Sequence, residues 1–101
     1  EAGFTAVFCM SDIMAVGAMR ALTDAGLRVP QDISVLGFDG IELGQYAVPR
    51  LATVSQPQQE IADQSVALLL GQIEKAAPPQ TRVVSTGLLE GESVASVTSD
   101  I

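Results

Sequence analysis

The stretch ISVLGFDG, residues 33–40, predicts a buried β-strand that ends abruptly at a carboxylate. The run is apolar except for Ser34, a composition typical of a strand covered on both faces. Asp39 then stands between Phe38 and Gly40, and an Asp-Gly pair favours a tight turn. Asp39 is therefore either a turn residue only or a turn residue that also binds a ligand.

Two shorter runs, TAVFC at residues 5–9 and LATV at residues 51–54, also predict buried strands. A helix is predicted between the first and second strands, because Ser11 is a typical N-cap and Gly26 a typical helix stop. Residues 41–47 predict a short helical turn.

A second, longer helix is predicted to begin at Pro57, since proline is favoured in the first turn. Its apolar positions recur at helical spacing, and the run AAPP at residues 76–79 ends it. Weaker strand patterns follow at residues 82–85, 88–90 and 93–97. Strands alternating with helices predict an α/β fold with a parallel sheet and right-handed crossovers.

Polar side chains follow the three main predicted strands, and in a parallel sheet these strand ends share one edge. Ser11, Asp39 and Gln56 supply a hydroxyl, a carboxylate and an amide, which suit a neutral polyhydroxylated ligand. Each also has a purely structural interpretation: Ser11 as a helix cap, and Gln56 as a residue restricted by the following proline. Phe38 is either a core aromatic or a pocket floor, and Asp12 is interpreted as a partner of the helix dipole.

Composition argues against several other functions. The chain of 101 residues has a net charge of −7, and its five basic residues are scattered, so these residues by themselves do not predict nucleic-acid binding. There is no histidine, and the single cysteine, Cys9, lies in an apolar run, where a small buried side chain is the simpler interpretation than a nucleophile. We expect no metal, no cofactor and no catalysis, and the absence of a disulfide framework suits the cytoplasm. No apolar stretch approaches the length that spans a membrane.

Three motifs resemble the effector-binding core of the lactose/galactose repressor family of bacterial transcription regulators. They are SDIMAVGAMRAL at residues 11–22, GLRVPQDISVLGFDG at residues 26–40 and YAVPRLATVSQP at residues 46–57, in the order and spacing of the family. The chain departs from the family pattern at Gly91, where an arginine is expected, and at Gln58, where an aromatic residue is common.

The resemblance implies a periplasmic-binding-protein-like type I core with a three-layer α/β architecture and a parallel sheet. This chain would be a C-terminal fragment of that core. Residues 1–56 would form the C-terminal effector-binding subdomain, residues 57–85 a helix and strand of the companion subdomain, and residues 86–97 the return strands. The helix-turn-helix domain that reads operator DNA would lie outside the chain. The apolar stripe of the long helix would then either fold back on the sheet or exchange into a second chain; the stripe comprises Ala62, Val66, Leu69 and Ile73.

For function, the resemblance implies a small-molecule effector, a sugar or related compound, whose binding shifts operator affinity. The polar groups at the strand ends suit sugars, sugar phosphates and nucleosides alike. Asp39 would bind effector hydroxyls, and Ser11 and Gln56 would line the same cleft. Met14, Val16 and Tyr46 would contribute to a homodimer interface, although an intramolecular core explains them equally well. A periplasmic sugar-binding protein of a transport system is the alternative function, and a stand-alone interaction module is a third.

Overall fold

The computed structural model describes residues 3–97, with a four-stranded sheet, two α-helices and one 3-10 helix. Two compact units are present: one joins residues 3–55 with residues 88–97, and the other contains residues 56–87. The elements in chain order are β1 (Ala6–Phe8), α1 (Asp12–Asp24), β2 (Ser34–Asp39), the 3-10 helix (Glu42–Tyr46), β3 (Ala52–Ser55), α2 (Gln58–Lys75) and β4 (Gly87–Leu89).

The sheet has the strand order β1-β2-β3-β4, and its first three strands are parallel. Val7 pairs with Val35, and at the other end of β2 Asp39 pairs with Ser55, the last residue of β3. The carboxyl ends of β2 and β3 therefore coincide at one edge of the sheet. The predicted α/β fold with a parallel sheet is confirmed.

The core of the first unit lies between α1 and one face of the sheet. Ala15 and Met19 of α1 pack with Val35 of β2 and with Leu51, and all four side chains are buried. Alternation along β2 directs Val35 and Gly37 to this face, whereas Leu36 and Phe38 belong to the other and are only half-buried. Burial of aliphatic side chains, at about 25 cal/mol per Å² of apolar surface, stabilises this face of the sheet.

Both ends of α1 form as their residues predict. The Ser11 hydroxyl accepts a hydrogen bond from the Met14 N–H (3.2 Å), which satisfies one of the free amides of the first turn. At the other end Gly26 has φ +84°, and the Leu27 N–H donates to the Leu22 carbonyl (2.9 Å). This is the Schellman arrangement, and glycine adopts its left-handed backbone without a Cβ clash.

Three predictions about the strands were wrong. Residues 82–85 and 93–97 form no strand. The strand at the start of the chain is shorter than predicted and is not covered on both faces: it lies at the end of the strand order, with Ala6 and Phe8 exposed and Val7 half-buried. A run of five apolar residues has no periodicity that distinguishes a strand covered on both faces from a partly exposed strand at the edge of the sheet.

Residues 93–97 form no strand, because Ser93 makes hydrogen bonds to the first residues of both β2 and β3 instead of pairing along one strand. Its carbonyl accepts from the Val35 N–H (2.9 Å), and its hydroxyl donates to the Val35 carbonyl (2.6 Å). The same hydroxyl accepts from the Ala52 N–H (2.8 Å) of β3. Ser93 is fully buried, so it supplies partners to backbone groups that water cannot reach.

The backbone passes so close to β3 at Gly91 that a side chain has no room there. A Cβ on Gly91 would lie 2.6 Å from the Ala52 nitrogen and 2.7 Å from the Arg50 carbonyl oxygen. Next to it, the Glu92 N–H donates to that same carbonyl (2.7 Å), which holds the segment in place. This close approach is the physical reason why glycine suits a position where the resemblance led us to expect arginine.

The second unit consists mainly of α2, which begins after Pro57 and ends at Ala76 as predicted. Ala76 has φ +51°, and the Ala77 N–H donates to the Gly71 carbonyl (3.1 Å) to close the helix. No residue of α2 is buried, and its apolar stripe is exposed. Both alternatives for covering this stripe, the sheet and a second chain, stay predictions.

Candidate functional site

The candidate site lies where β2 and β3 end and α1 begins. In open parallel sheets, ligands bind beyond the carboxyl ends of the strands, because the loops there are free to present polar groups. At this edge β2 ends with Asp39, β3 ends with Ser55, and α1 begins with Asp12, which follows the N-cap Ser11.

The carboxylate of Asp12 lies at the centre of this site and is fully buried. Its Oδ2 accepts from the backbone N–H groups of Gly40 (2.9 Å) and Ile41 (2.8 Å). Its Oδ1 accepts from the hydroxyl of Thr53 (2.6 Å), itself fully buried in β3. One side chain therefore ties the start of α1 to the loop after β2 and to the middle of β3. Three donors on a buried carboxylate offset the free energy that its removal from water costs.

Gly37 makes room for this carboxylate, whereas a Cβ on Gly44 would make only an ordinary contact with it. A Cβ on Gly37 would collide with Asp12 Oδ1 and would lie 2.9 Å from the Leu51 side chain. A Cβ on Gly44 would lie 3.7 Å from Asp12 Oδ2 and 3.3 Å from Leu51. Gly37 is thus required by the packing of Asp12, and a strand interior tolerates glycine for such a close approach.

Asp39 has a backbone conformation that side chains other than glycine rarely adopt. Its φ is +129°, and the next residue, Gly40, has φ +83°. Such a conformation costs on the order of 1–3 kcal/mol at a non-glycine residue and occurs preferentially at binding and catalytic sites. A turn alone would be more stable with glycine at position 39. The strain favours a functional role for the carboxylate over the turn-only interpretation.

The other residues predicted for the site lie in different surroundings. Ser11 is half-buried and caps α1, as its structural interpretation predicted. Phe38 is half-buried outside the core, with its ring 6.5 Å from that of Phe8 in an edge-to-face arrangement. Gln56 follows β3 directly and opens the second unit, where its carbonyl accepts from the Gln58 N–H (2.9 Å). The structure thus connects the Ser11–Asp12 corner to the loop after Asp39.

The residues predicted for a dimer interface are not equally accessible. Met14 is exposed, as is Tyr46, whose exposed fraction is 71%. Val16 is half-buried and packs against the core, in line with its intramolecular interpretation. The phenol of Tyr46 donates to Glu42 Oε1 (2.8 Å), and this hydrogen bond raises the pKa of Tyr46.

Sequence reasoning missed the role of Asp12 and overlooked Thr53 entirely. As the first residue of a helix, Asp12 had a sufficient explanation in the helix dipole. The signal that could have revealed it is Gly37 inside a strand, since an unexplained glycine there indicates a close approach by another group. Thr53 in a strand looks like an ordinary β-branched residue.

Other features carry no comparable chemistry. Burial raises the pKa of the half-buried Cys9 thiol, which disfavours the nucleophilic thiolate. Within residues 3–97, no group of acidic and cysteine side chains is arranged to hold a metal ion, and no helix is long and apolar enough to cross a membrane. An open apolar cavity of about 740 Å³ lies on the sheet face away from α1, lined among others by Phe8, Leu36 and Val94. It offers few polar groups, so it does not match a sugar.

The parallel sheet and its polar edge define an α/β domain of the periplasmic-binding-protein-like type I class. A family model described as periplasmic binding protein-like domain matches residues 2–94, and the chain belongs to this family.

Among curated proteins, the chain is 48% identical over 92 residues to the HTH-type transcriptional repressor PurR of Yersinia enterocolitica. The match covers 90% of this chain and 27% of the repressor, so the chain spans about a quarter of this relative's length. Proteins of the same name from Yersinia pestis and Yersinia pseudotuberculosis match equally well.

Solved structures agree. The lac repressor dimer bound to operator and the anti-inducer ONPF superposes with a TM-score of 0.83 at 35% identity, over 91% of this chain and 32% of that one. The transcriptional regulator CelR in its complex with cellobiose gives a TM-score of 0.82 at 33% identity, over 88% of this chain and 28% of that one. A LacI family regulator from an Arthrobacter species, in complex with lactose, gives 0.78 at 33% identity, over 90% and 35%. The relatives are transcription regulators, which confirms the resemblance to the lactose/galactose repressor family and favours it over the transport-protein alternative.

Proposed function

We propose that this chain forms one part of the effector site of a bacterial transcription regulator, and that the effector is a sugar or a related neutral polyol. The observation that carries the proposal is the strained Asp39, which lies at the carboxyl ends of the parallel strands, next to a loop that the buried Asp12 anchors. A carboxylate in this place accepts hydrogen bonds from hydroxyl groups, and such charge-assisted bonds are strong.

The relatives support this choice of ligand. CelR is described in complex with cellobiose and the Arthrobacter regulator in complex with lactose, and both share the fold over about nine-tenths of this chain. Ser11 and Gln56 would line the same cleft as Asp39, as the strand order led us to expect, and Phe38 would contribute apolar surface to it. In the full-length protein, residues 57–85 would belong to the companion subdomain, as the resemblance implies.

Regulation would follow from differential binding. An effector that binds one arrangement of the two subdomains more tightly than the other shifts the population toward it, and operator affinity changes with that population. DNA would be contacted only by a domain outside this chain, in the cytoplasm. No bond of the effector is made or broken, so no catalytic residue is proposed.

The test is effector binding by the full-length protein, measured by titration calorimetry with cellobiose, lactose, glucose and galactose. The Asp39→Asn variant removes the charge, and Asp24→Asn is the matched control, since Asp24 is an exposed carboxylate paired with Arg20 at the far end of α1. Hydrogen bonds to charged groups contribute about 1.5–3 kcal/mol, so Asp39→Asn should weaken binding on the order of 10- to 100-fold. Asp24→Asn should bind as the unmodified protein does. Equal affinity in all three proteins would rule out Asp39 as the anchor.

Dimerisation is tested separately. Met14 and Tyr46 are exposed and apolar or aromatic, a composition enriched at protein interfaces. We expect Met14→Asp to shift the sedimentation coefficient of the full-length protein toward that of a monomer. The same acidic substitution at Gln31, an exposed loop residue, is the control and should leave the assembly unchanged. A dimer that tolerates Met14→Asp would move the interface elsewhere.

A further inference from the structure

We infer that Asp12 and Thr53 are positioning residues for the effector site: they set the conformation of the loop after β2 and thereby the affinity of Asp39 for effector. The inference rests on the proposed function, because it concerns the same site. It goes beyond it by assigning control of affinity to two buried residues that are not themselves the proposed anchor, one of them in the middle of a strand.

Asp12 holds the strained loop directly, through two hydrogen bonds. Two consecutive residues, Asp39 and Gly40, have positive φ. The N–H groups of Gly40 and Ile41, which follow the strained peptide, both donate to the same oxygen of Asp12. A strained conformation persists only where its surroundings enforce it. These two hydrogen bonds are such an enforcement, since a relaxed Asp39 would turn both amides away from the carboxylate.

Thr53 in turn orients the carboxylate of Asp12. The Thr53 hydroxyl donates to Asp12 Oδ1, the oxygen that the loop does not use, at the short distance of 2.6 Å. Thr53 pairs in register with Gly37, the residue whose missing side chain leaves space for that oxygen. A carboxylate rotates about its Cβ–Cγ bond over a broad range. Fixing Oδ1 therefore also fixes Oδ2, which faces the two amides.

The negative charge of Asp12 strengthens all three of these hydrogen bonds. The three donors to Asp12 are uncharged: two backbone amides and one hydroxyl. An ionised acceptor makes these bonds about twice as strong as a neutral one does. Asparagine at position 12 keeps the size of the side chain and one acceptor oxygen but loses the charge. The loop of an Asp12→Asn variant should therefore open more often, with the fold preserved.

The experiment compares four variants of the full-length protein with the unmodified protein, at a temperature well below unfolding. Thr53→Val removes the hydroxyl at nearly constant volume, and Thr53→Ser restores it. Asp12→Asn removes the charge. Met19→Ala is the control for a purely structural loss, because Met19 is buried in the core on α1 and takes no part in the hydrogen bonds of the loop.

Two readouts are measured. The first is the dissociation constant for cellobiose and for lactose, which should rise about tenfold in Thr53→Val and Asp12→Asn, and less than twofold in Thr53→Ser and Met19→Ala; tenfold corresponds to about 1.4 kcal/mol. The second needs no ligand: amide hydrogen exchange at Gly40 and Ile41 should accelerate at least tenfold in Thr53→Val and Asp12→Asn relative to the amides of β2. Met19→Ala should lower the melting temperature without this selective acceleration.

The outcomes separate the two proposals. If Thr53→Val matches the unmodified protein in affinity and in exchange at Gly40 and Ile41, the positioning inference is overturned. If Met19→Ala weakens binding as much as Thr53→Val does, the effect is one of general stability and the inference is overturned as well. If the unmodified protein binds neither sugar while exchange at the two amides still accelerates, the sugar proposal fails and the positioning of the loop stands.

Discussion

Replacing Asp39 by glycine should give a more stable protein than replacing it by asparagine, and both changes should weaken effector binding. A φ of +129° is open to glycine without a Cβ clash, so Asp39→Gly should recover the strain of about 1–3 kcal/mol. Against this, glycine increases the freedom of the unfolded chain by about 0.4–1 kcal/mol. Asp39→Gly and Asp39→Asn both lose the carboxylate charge, so the contribution of that charge to stability cancels when the two variants are compared. At the midpoints of the two ranges, a recovered strain of about 2 kcal/mol exceeds an entropic loss of about 0.7 kcal/mol, so Asp39→Gly should be the more stable variant by about 1.3 kcal/mol.

The assay is urea unfolding followed by circular dichroism, with Asp39→Asn as the matched variant. Asparagine removes the charge but keeps a Cβ in the strained conformation, so Asp39→Gly should have the higher midpoint concentration of the two variants, with an unchanged slope. Calorimetry with the sugars that the unmodified protein binds should show weakened binding in both variants. If Asp39→Gly is less stable than Asp39→Asn, no strain is stored at this position, and the backbone conformation of Asp39 does not support a binding role.

Three further predictions concern stability, each measured by the same unfolding assay. Ser93→Ala should destabilise the fold by about 1–3 kcal/mol, because it leaves a buried strand amide without an acceptor; a loss below 0.5 kcal/mol would mean that water replaces the hydroxyl. Gly91→Ala should also destabilise the fold, since its Cβ would lie closer than 3 Å to three backbone atoms. Gly17→Ala is its control: the helical position is exposed, with open space around it, and alanine there should stabilise the fold by about 0.5–1 kcal/mol. If Gly91→Ala is more stable than Gly17→Ala, the packing described at Gly91 is contradicted. The hydrogen bonds from the Arg28 guanidinium, and then from its backbone N–H, lower the pKa of Asp32. The unmodified protein should therefore be slightly more stable than Asp32→Asn above pH 4, and this difference in stability should disappear as the pH falls through the lowered pKa. An advantage that persists at pH 2 would show that the carboxylate charge is not its source.

Local sequence determined most of the elements, because their signals act over a few residues. The cap at Ser11, the stop at Gly26 and the end of α2 near Ala76 all follow from side-chain or backbone preferences that hold in any surroundings. The parallel order of the first strands followed from the alternation of strands and helices. Placing Asp39 at the edge of the sheet needed no more than this order and the length of the strand.

Only the tertiary structure decided what happens at that edge and at the opposite ends of the strands. Asp12 lies 28 residues from Gly40 and 41 residues from Thr53 along the chain, so no local pattern reports that one carboxylate serves both. Ser93 likewise replaces a predicted strand because its partners, Val35 and Ala52, are 58 and 41 residues away. Buried polar groups must find partners wherever the fold brings them, and that requirement depends on the whole arrangement of the chain.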